Sequence, residues 1–143
     1  MALNFVLLFM LNAQNEVLML RRINTPFCNQ CYALPGGEIR PGENALKTAV
    51  REAKNSLNID INSHDLEFVH IMHRKCNASE FFACIFRPKS YHGTIANHEP
   101  LRHDDLQWFA INDLPTNIVP AHQYAITQII NGRAYSEHGW LDF

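Results

Sequence analysis

The stretch Leu34-Pro35-Gly36-Gly37-Glu38-Ile39-Arg40-Pro41-Gly42-Glu43, running on to Ile59, constrains this chain more than any other. It reads as a glycine-punctuated loop that feeds one helix. Gly36, Gly37 and Gly42 permit backbone angles closed to other residues. Pro41 sets a turn just ahead of the helix, and Glu43 lies where the positive end of the helix dipole favours an anion. Leu46, Ala49, Val50, Ala53 and Leu57 recur at helical spacing, which predicts an apolar stripe on a helix from about Glu43 to Asn58. Glu52, Asn55 and Ser56 are spaced i, i+3, i+4 and so share a different face, expected to lie away from the core.

Gly37, five residues, Glu43, seven residues, then Arg51-Glu52-Ala53 resembles the Nudix box, the signature of the Nudix (MutT-like) hydrolases. Ile59 matches as well, and Leu34-Pro35-Gly36 ahead of the box is typical of the family. Three positions depart from the pattern: Asn55 and Ser56 replace its paired glutamates, and Asn58 replaces its glycine. The resemblance implies an α/β fold, a mixed sheet packed between helices in an α/β/α sandwich. It also implies hydrolysis of a diphosphate linked to another group, usually a nucleoside, with Mg²⁺ or Mn²⁺ as cofactor.

Mg²⁺ takes hard, anionic oxygen ligands in near-octahedral geometry. A helix with glutamates at i, i+3 and i+4 gathers three carboxylates on one face for that purpose. Here only Glu52 keeps its charge, so the metal site is expected to be weaker or to hold fewer metals. By resemblance, Glu52 is the catalytic residue and a metal ligand. The Gly37 carbonyl and Glu99, in the loop Asn97-His98-Glu99-Pro100, are further candidate ligands. Glu38 is a second candidate for the missing charge or for substrate contact. Glu43 and Arg51 are read as supports that hold the loop on the helix, with Glu43 a candidate partner for Arg51.

The 143 residues suit one domain, expected over 1–143, with a sizeable core. A net charge of −2 gives no reason to expect nucleic-acid binding, which calls for a basic face. Four cysteines are too sparse for a disulfide scaffold and point to a reducing, cytoplasmic compartment. Leu3–Leu11 is apolar but too short to span a bilayer, and it lacks the basic start and cleavage site of a leader, so a buried strand explains it better. Oligomeric state is invisible in the sequence, although a homodimer is common in the resembled family.

Taken in order, Leu3–Leu11 and Glu16–Arg22 read as two strands of a hairpin about the Asn12–Asn15 turn. Ile23–Tyr32 is a loop. Leu66–His73 and Glu80–Phe86 are strands joined by a polar loop from Arg74 to Ser79, and Pro88–Pro100 is a longer loop. Asp105–Ile111 is a further strand, and a last helix runs from about Pro120 to Asn131, stopped by Gly132. The tail from Tyr135 to Trp140 is too short to classify.

Arg21, Arg22 and Arg74 match phosphates in chemistry, although arginines that end strands are also ordinary solvated residues. Phe27, Tyr32 and Trp108 are of a kind to stack on a base, and Trp108 is better read as core. Cys28-x2-Cys31 with His70, His73 and Cys76 are zinc-ligand types. A loop and a helix separate the thiols from His70, however, and residues three apart on a strand face opposite ways, so unconnected side chains are the better reading.

Two functions are thus open: a divergent Nudix pyrophosphohydrolase acting on a small nucleotide, first of all a nucleoside triphosphate, or a Nudix-fold module that binds a nucleotide or a protein without catalysis. Asn55→Glu combined with Ser56→Glu is expected to raise Mg²⁺-dependent activity. No gain in a variant shown to be folded would count against a site weakened only by missing charge.

Overall fold

In the computed structural model, residues 3–140 are described; the two ends of the expected domain, 1–2 and 141–143, lie outside the described residues. In chain order the elements are β1 (Phe5–Leu8), β2 (Glu16–Arg22), β3 (Tyr32–Ala33), β4 (Gly36–Glu38), α1 (Ala45–Leu57), β5 (Leu66–Cys76), β6 (Ser79–Pro88), β7 (His103–Ala110), α2 (Pro120–Ile130) and β8 (Tyr135–His138), with a short 3₁₀ turn at Ser63–Asp65.

Alternation along the first two strands sets the layers. Val6, Leu8, Leu18 and Leu20 point into one core with Ala49, Ala53 and Leu57 of α1. Leu7, Val17 and Met19 point into a second core with Ala121, Ala125 and Ile126 of α2. Side chains on successive strand residues point to opposite faces, so strands that are apolar throughout require cover on both sides. The helices supply it, which gives the expected α/β/α arrangement with mixed sheet.

The strands divide between two sheets. One has the order β4-β1-β6-β5-β8, the other β3-β2-β7. In the larger sheet β1 runs parallel to β6 and β5 parallel to β8, while β1/β4 and β5/β6 are antiparallel. The hairpin expected between Leu3–Leu11 and Glu16–Arg22 is therefore not formed as a ladder. The two runs meet only at their ends, by a Leu11–Val17 bridge and the Leu18 N–H to Met10 carbonyl bond of 3.1 Å. Both edges of β1 are already taken, by β4 and β6. The polar loop expected from Arg74 to Ser79 also shrinks, because β5 runs on to Cys76 and β6 starts at Ser79. Asn77, at φ 56°, makes the tight turn, and Arg74 becomes a strand residue.

Helix α1 starts where Asn44 accepts a 2.9 Å bond from the Lys47 N–H. It ends at Asn58, whose φ of 59° is left-handed and whose N–H reaches the Ala53 and Lys54 carbonyls. Asparagine tolerates this conformation better than other non-glycine residues. The glycine-to-asparagine departure at this position is thus compatible with the same helix stop. The buried face of α1 is rotated from the expected stripe: Thr48, Ala49, Glu52, Ala53, Ser56 and Leu57 are buried, while Leu46 is 37% exposed and Val50 half-buried. Of the three polar residues expected to share an outer face, Glu52 and Ser56 are inside and only Asn55 is exposed. Strand β4 and the loop before β7 cover that side of the helix, the latter through the Ala96 N–H to Leu57 carbonyl and His98 N–H to Ser56 carbonyl bonds, both 3.0 Å.

The glycines act differently from one another. Gly42 does have a positive φ, at 85°. Gly36 and Gly37 do not; they sit in β4, where any Cβ would overlap the Val6 carbonyl oxygen and the Glu52 carboxylate respectively. No helix among the described residues is long and apolar enough to cross a membrane.

The left-handed stop predicts an ordering in stability. Asn58→Gly should leave stability unchanged or slightly higher, whereas Asn58→Val should lower it by about 1–2 kcal/mol. Urea unfolding midpoints measured side by side would check this.

Candidate active site

The site is built where β4 lies against α1. Glu52 is only 4% exposed, and its Oε1 fills the space that a side chain on Gly37 would occupy. Arg51 secures this contact from the neighbouring position. Its Nε and Nη2 donate to Glu43 Oε2 and Oε1 at 2.7 and 2.9 Å, its Nη2 also donates to the Glu38 carbonyl at 2.9 Å, and its Nη1 donates to Glu52 Oε1 at 3.2 Å. One guanidinium thus ties the loop, the strand and the helix carboxylate together. Glu43 also accepts from the Thr48 hydroxyl at 3.0 Å and the Arg40 N–H at 3.2 Å. With Arg51 beside it and these bonds to the ionised form, its carboxyl is held down at about 2.

Glu99 comes to the same place from the loop before β7. The Ser56 hydroxyl donates to Glu99 Oε1 at 2.8 Å and lies 3.4 Å from Glu52 Oε2. Ser56 is 1% exposed, so it is a buried link between the helix carboxylate and the loop carboxylate. Arg102 Nη1 contacts both Glu99 oxygens at 3.2 Å. The Asn97 side chain holds the loop, accepting from the Glu99 N–H at 3.2 Å and donating to the His103 carbonyl at 2.7 Å.

Beside this pair opens a cleft of about 440 Å³. Gly36 and Gly37 form part of its wall, with Phe27 and Phe81 as aromatic surface. Arg22, Arg74 and Arg102 line it, and no aspartate or glutamate does. His122 is buried and accepts from the Leu34 N–H through Nδ1 at 3.0 Å. Burial pushes its pKa down to about 3, so the ring is neutral at pH 7 and carries its proton on Nε2. Burial, with Arg102 nearby, likewise pushes His103 down to about 4.

The expected site residues are brought together only in part. Glu52, Gly37, Glu43, Arg51 and Glu99 converge. Arg21 is elsewhere: it is paired with Asp104, Nε to Oδ1 at 2.7 Å, and takes no part in the cleft. Its strand neighbour Arg22 points into the cleft instead, as alternation requires. Glu38 is exposed and contributes its carbonyl, to Arg51, rather than its carboxylate. Asn55 is exposed as well. Tyr32 is buried, with its hydroxyl on Asp105, and Trp108 packs against the α1-side core.

Cys28, Cys31 and Cys76 are free thiols, and the described residues hold no group of three or more His, Cys, Asp or Glu that is fit for a metal. His70 is satisfied by the Arg133 carbonyl and the Ser136 hydroxyl, both at 2.7 Å, while His73 stacks on Phe82. Sequence reasoning missed Arg102, His103, Phe81 and His122. Only Arg102, three residues after Glu99, had a local signal, the i, i+3 spacing of opposite charges.

The donors around Glu52 suit a hard divalent cation. Two carboxylates and the Ser56 hydroxyl between them are all oxygen. They are too few for a closed protein cage, but Mg²⁺ is commonly held by one or two carboxylates with water and substrate phosphates.

The model of the NUDIX domain family matches residues 2–129. No curated protein matches the chain significantly. Among solved structures, a MutT NUDIX hydrolase from Burkholderia pseudomallei superposes with a TM-score of 0.80 at 23% identity, covering 90% of this chain and 98% of that one. A MutT protein from Methanosarcina mazei gives 0.77 at 16%, covering 91% and 94%. A bifunctional NMN adenylyltransferase/ADP ribose pyrophosphatase from Francisella tularensis gives 0.69 at 15%, covering 92% of this chain and 41% of that one. At these identities the likeness to the solved structures is one of fold.

The Arg51–Glu43 pair makes a pH prediction. Glu43 titrates lower in the folded chain than in the unfolded one, so its contribution to stability is complete above the ordinary carboxylate value of 4.5 and disappears as pH falls toward 2. Glu43→Gln should flatten the fall in unfolding midpoint across that window. A pH series of thermal melts, wild type against variant, would show it, and parallel curves would count against the pairing.

Proposed function

The chain belongs to the NUDIX family, and on that premise we propose that it is a metal-dependent hydrolase of a diphosphate linked to a nucleoside, with a nucleoside triphosphate as the first compound to test. One observation carries the reading: the buried Glu52 carboxylate is joined through Ser56 to Glu99 beside an arginine-lined cleft. In this reading Glu52, Glu99 and the Gly37 carbonyl would hold Mg²⁺ or Mn²⁺. The ion, when bound, would neutralise phosphate charge and polarise the phosphorus–oxygen bonds.

The chain's own groups do the rest. Arg51 and Gly37 keep the Glu52 carboxylate in one place, which spares reorganisation during the reaction. Ser56 fixes Glu99 against Glu52. Arg102, tied to Glu99 and lining the cleft, is set to meet a phosphate oxygen. Glu52 aligns the attacking water, which displaces the leaving phosphate in line at phosphorus. The products are a nucleoside monophosphate with pyrophosphate, or with a phosphorylated leaving group. The same reading carries a single cytoplasmic domain without nucleic-acid partners, in which a homodimer is an expectation from the family.

A second reading, a nucleotide-binding or protein-interaction module, is favoured by Asn55. It is exposed and neutral where the family pattern has a glutamate, and Ser56 brings no charge either. Phosphate release separates the two. A panel of nucleoside triphosphates and diphosphate derivatives, run with Mg²⁺ and then Mn²⁺, should show metal-dependent turnover that drops about 100-fold or more in Glu52→Gln, because losing a direct ligand should cost at least as much as losing a ligand's outer partner. No turnover on any substrate, with nucleotide binding retained in a thermal-shift assay, would make the module the better reading.

A further inference from the structure

Among the described residues, two buried side-chain polar atoms lack a hydrogen-bond partner: Arg74 Nε and His103 Nδ1. Both belong to residues that line the cleft. Buried polar atoms are paired in the great majority of cases, so two orphans in one cavity call for a ligand.

Arg74 is the more telling of the two. It stands on β5, with its guanidinium over the Phe81 ring at 5.2 Å to the centroid. Among the described residues no carboxylate lies within ion-pair distance of it. A second cation, Arg22, lines the same cleft, over Phe27 at 5.8 Å, and among the described residues its only side-chain bond is to the Thr25 hydroxyl at 3.3 Å. A charge withdrawn from water without a counter-charge is costly. An uncharged acceptor would satisfy the Nε–H and leave the two positive charges unanswered. A phosphate answers both, because its oxygens match the guanidinium fork and its charge is opposite.

Arg51 and Arg102 are engaged by Glu43, Glu52 and Glu99, whereas among the described residues no carboxylate lies within ion-pair distance of Arg74 or Arg22, which sets this pair apart from the carboxylate end of the cleft. We propose that Arg74, with Arg22 in the same cleft, binds a phosphate monoester carried by the substrate in addition to the diphosphate that is cleaved. The substrate class is then a nucleotide with a second phosphorylated position on the part that enters the cleft. The proposal rests on the hydrolase reading for the placement of the diphosphate, and its test needs neither metal nor turnover.

Adenosine 5′-monophosphate and adenosine 3′,5′-bisphosphate would be titrated calorimetrically into wild type, Arg74→Gln and Arg74→Lys, with EDTA present. The wild type should bind the bisphosphate roughly 10-fold or more tighter, the scale of one hydrogen-bonded charge pair. Arg74→Gln should bind the two ligands alike, and Arg74→Lys should keep part of the preference because it keeps the charge. Circular dichroism would establish that the variants are folded, and the wild-type comparison stands without them. Equal binding in the wild type, or no binding of either ligand, would overturn the assignment. So would a preference that survives in Arg74→Gln, or an equal loss for both ligands, which would put Arg74 on the phosphate they share. Hydrolysis of a nucleoside triphosphate with Mg²⁺ is read separately. Its failure beside a confirmed bisphosphate preference would sink the hydrolase reading alone.

Discussion

The Glu52 carboxylate can occupy its place only because Gly37 has no side chain. A strand and a helix approach so closely there that the helix glutamate lies in the space of the missing Cβ. Arg51 then holds the approach from the other side, bound to Glu43, to the Glu38 carbonyl and to Glu52. Loop, strand and helix are fixed by one guanidinium and one absent methyl group. Everything assigned to the site follows from that contact, because it buries a carboxylate beside a cleft instead of leaving it in solvent.

The departures from the family pattern have unequal weight in this setting. Asn58 still supplies the left-handed residue that ends α1, so the backbone is served. Ser56 gives up a charge but gains a link, since its hydroxyl joins Glu99 to the neighbourhood of Glu52. Asn55 gives up a charge and gains nothing that the structure shows. The result is a reduced site: two carboxylates and neutral oxygens, next to a cleft whose charge is supplied by arginines alone.

Much of this was legible in the chain. The apolar runs of β1 and β2, the cap residues of α1, the Pro120 start of α2 and the glycine-to-glutamate spacing all carry local signals. What failed was long-range. The buried face of α1 was misjudged because β4 and the loop before β7 cover Thr48, Glu52 and Ser56, and helix periodicity does not know what lies above a polar residue. The first hairpin was misjudged because two apolar runs around a turn look the same whether they pair or diverge into two sheets. Arg74 was placed in a loop that proved to be strand, so its aim into the cleft was invisible. Arg102, His103 and His122 meet in the cleft from separate parts of the chain, and no spacing announces that.

A titration of Mn²⁺ into the protein, with and without a non-hydrolysable nucleoside triphosphate analogue, tests the reduced site most directly. Binding is expected to be weak alone and tighter with the nucleotide, because the substrate's phosphates complete the coordination that two carboxylates begin. It should fall in Glu52→Gln and in Glu99→Gln, each measured on folded protein. Binding that is tight without nucleotide, or that ignores both substitutions, would mean that the metal is held elsewhere and that the buried pair is not the site.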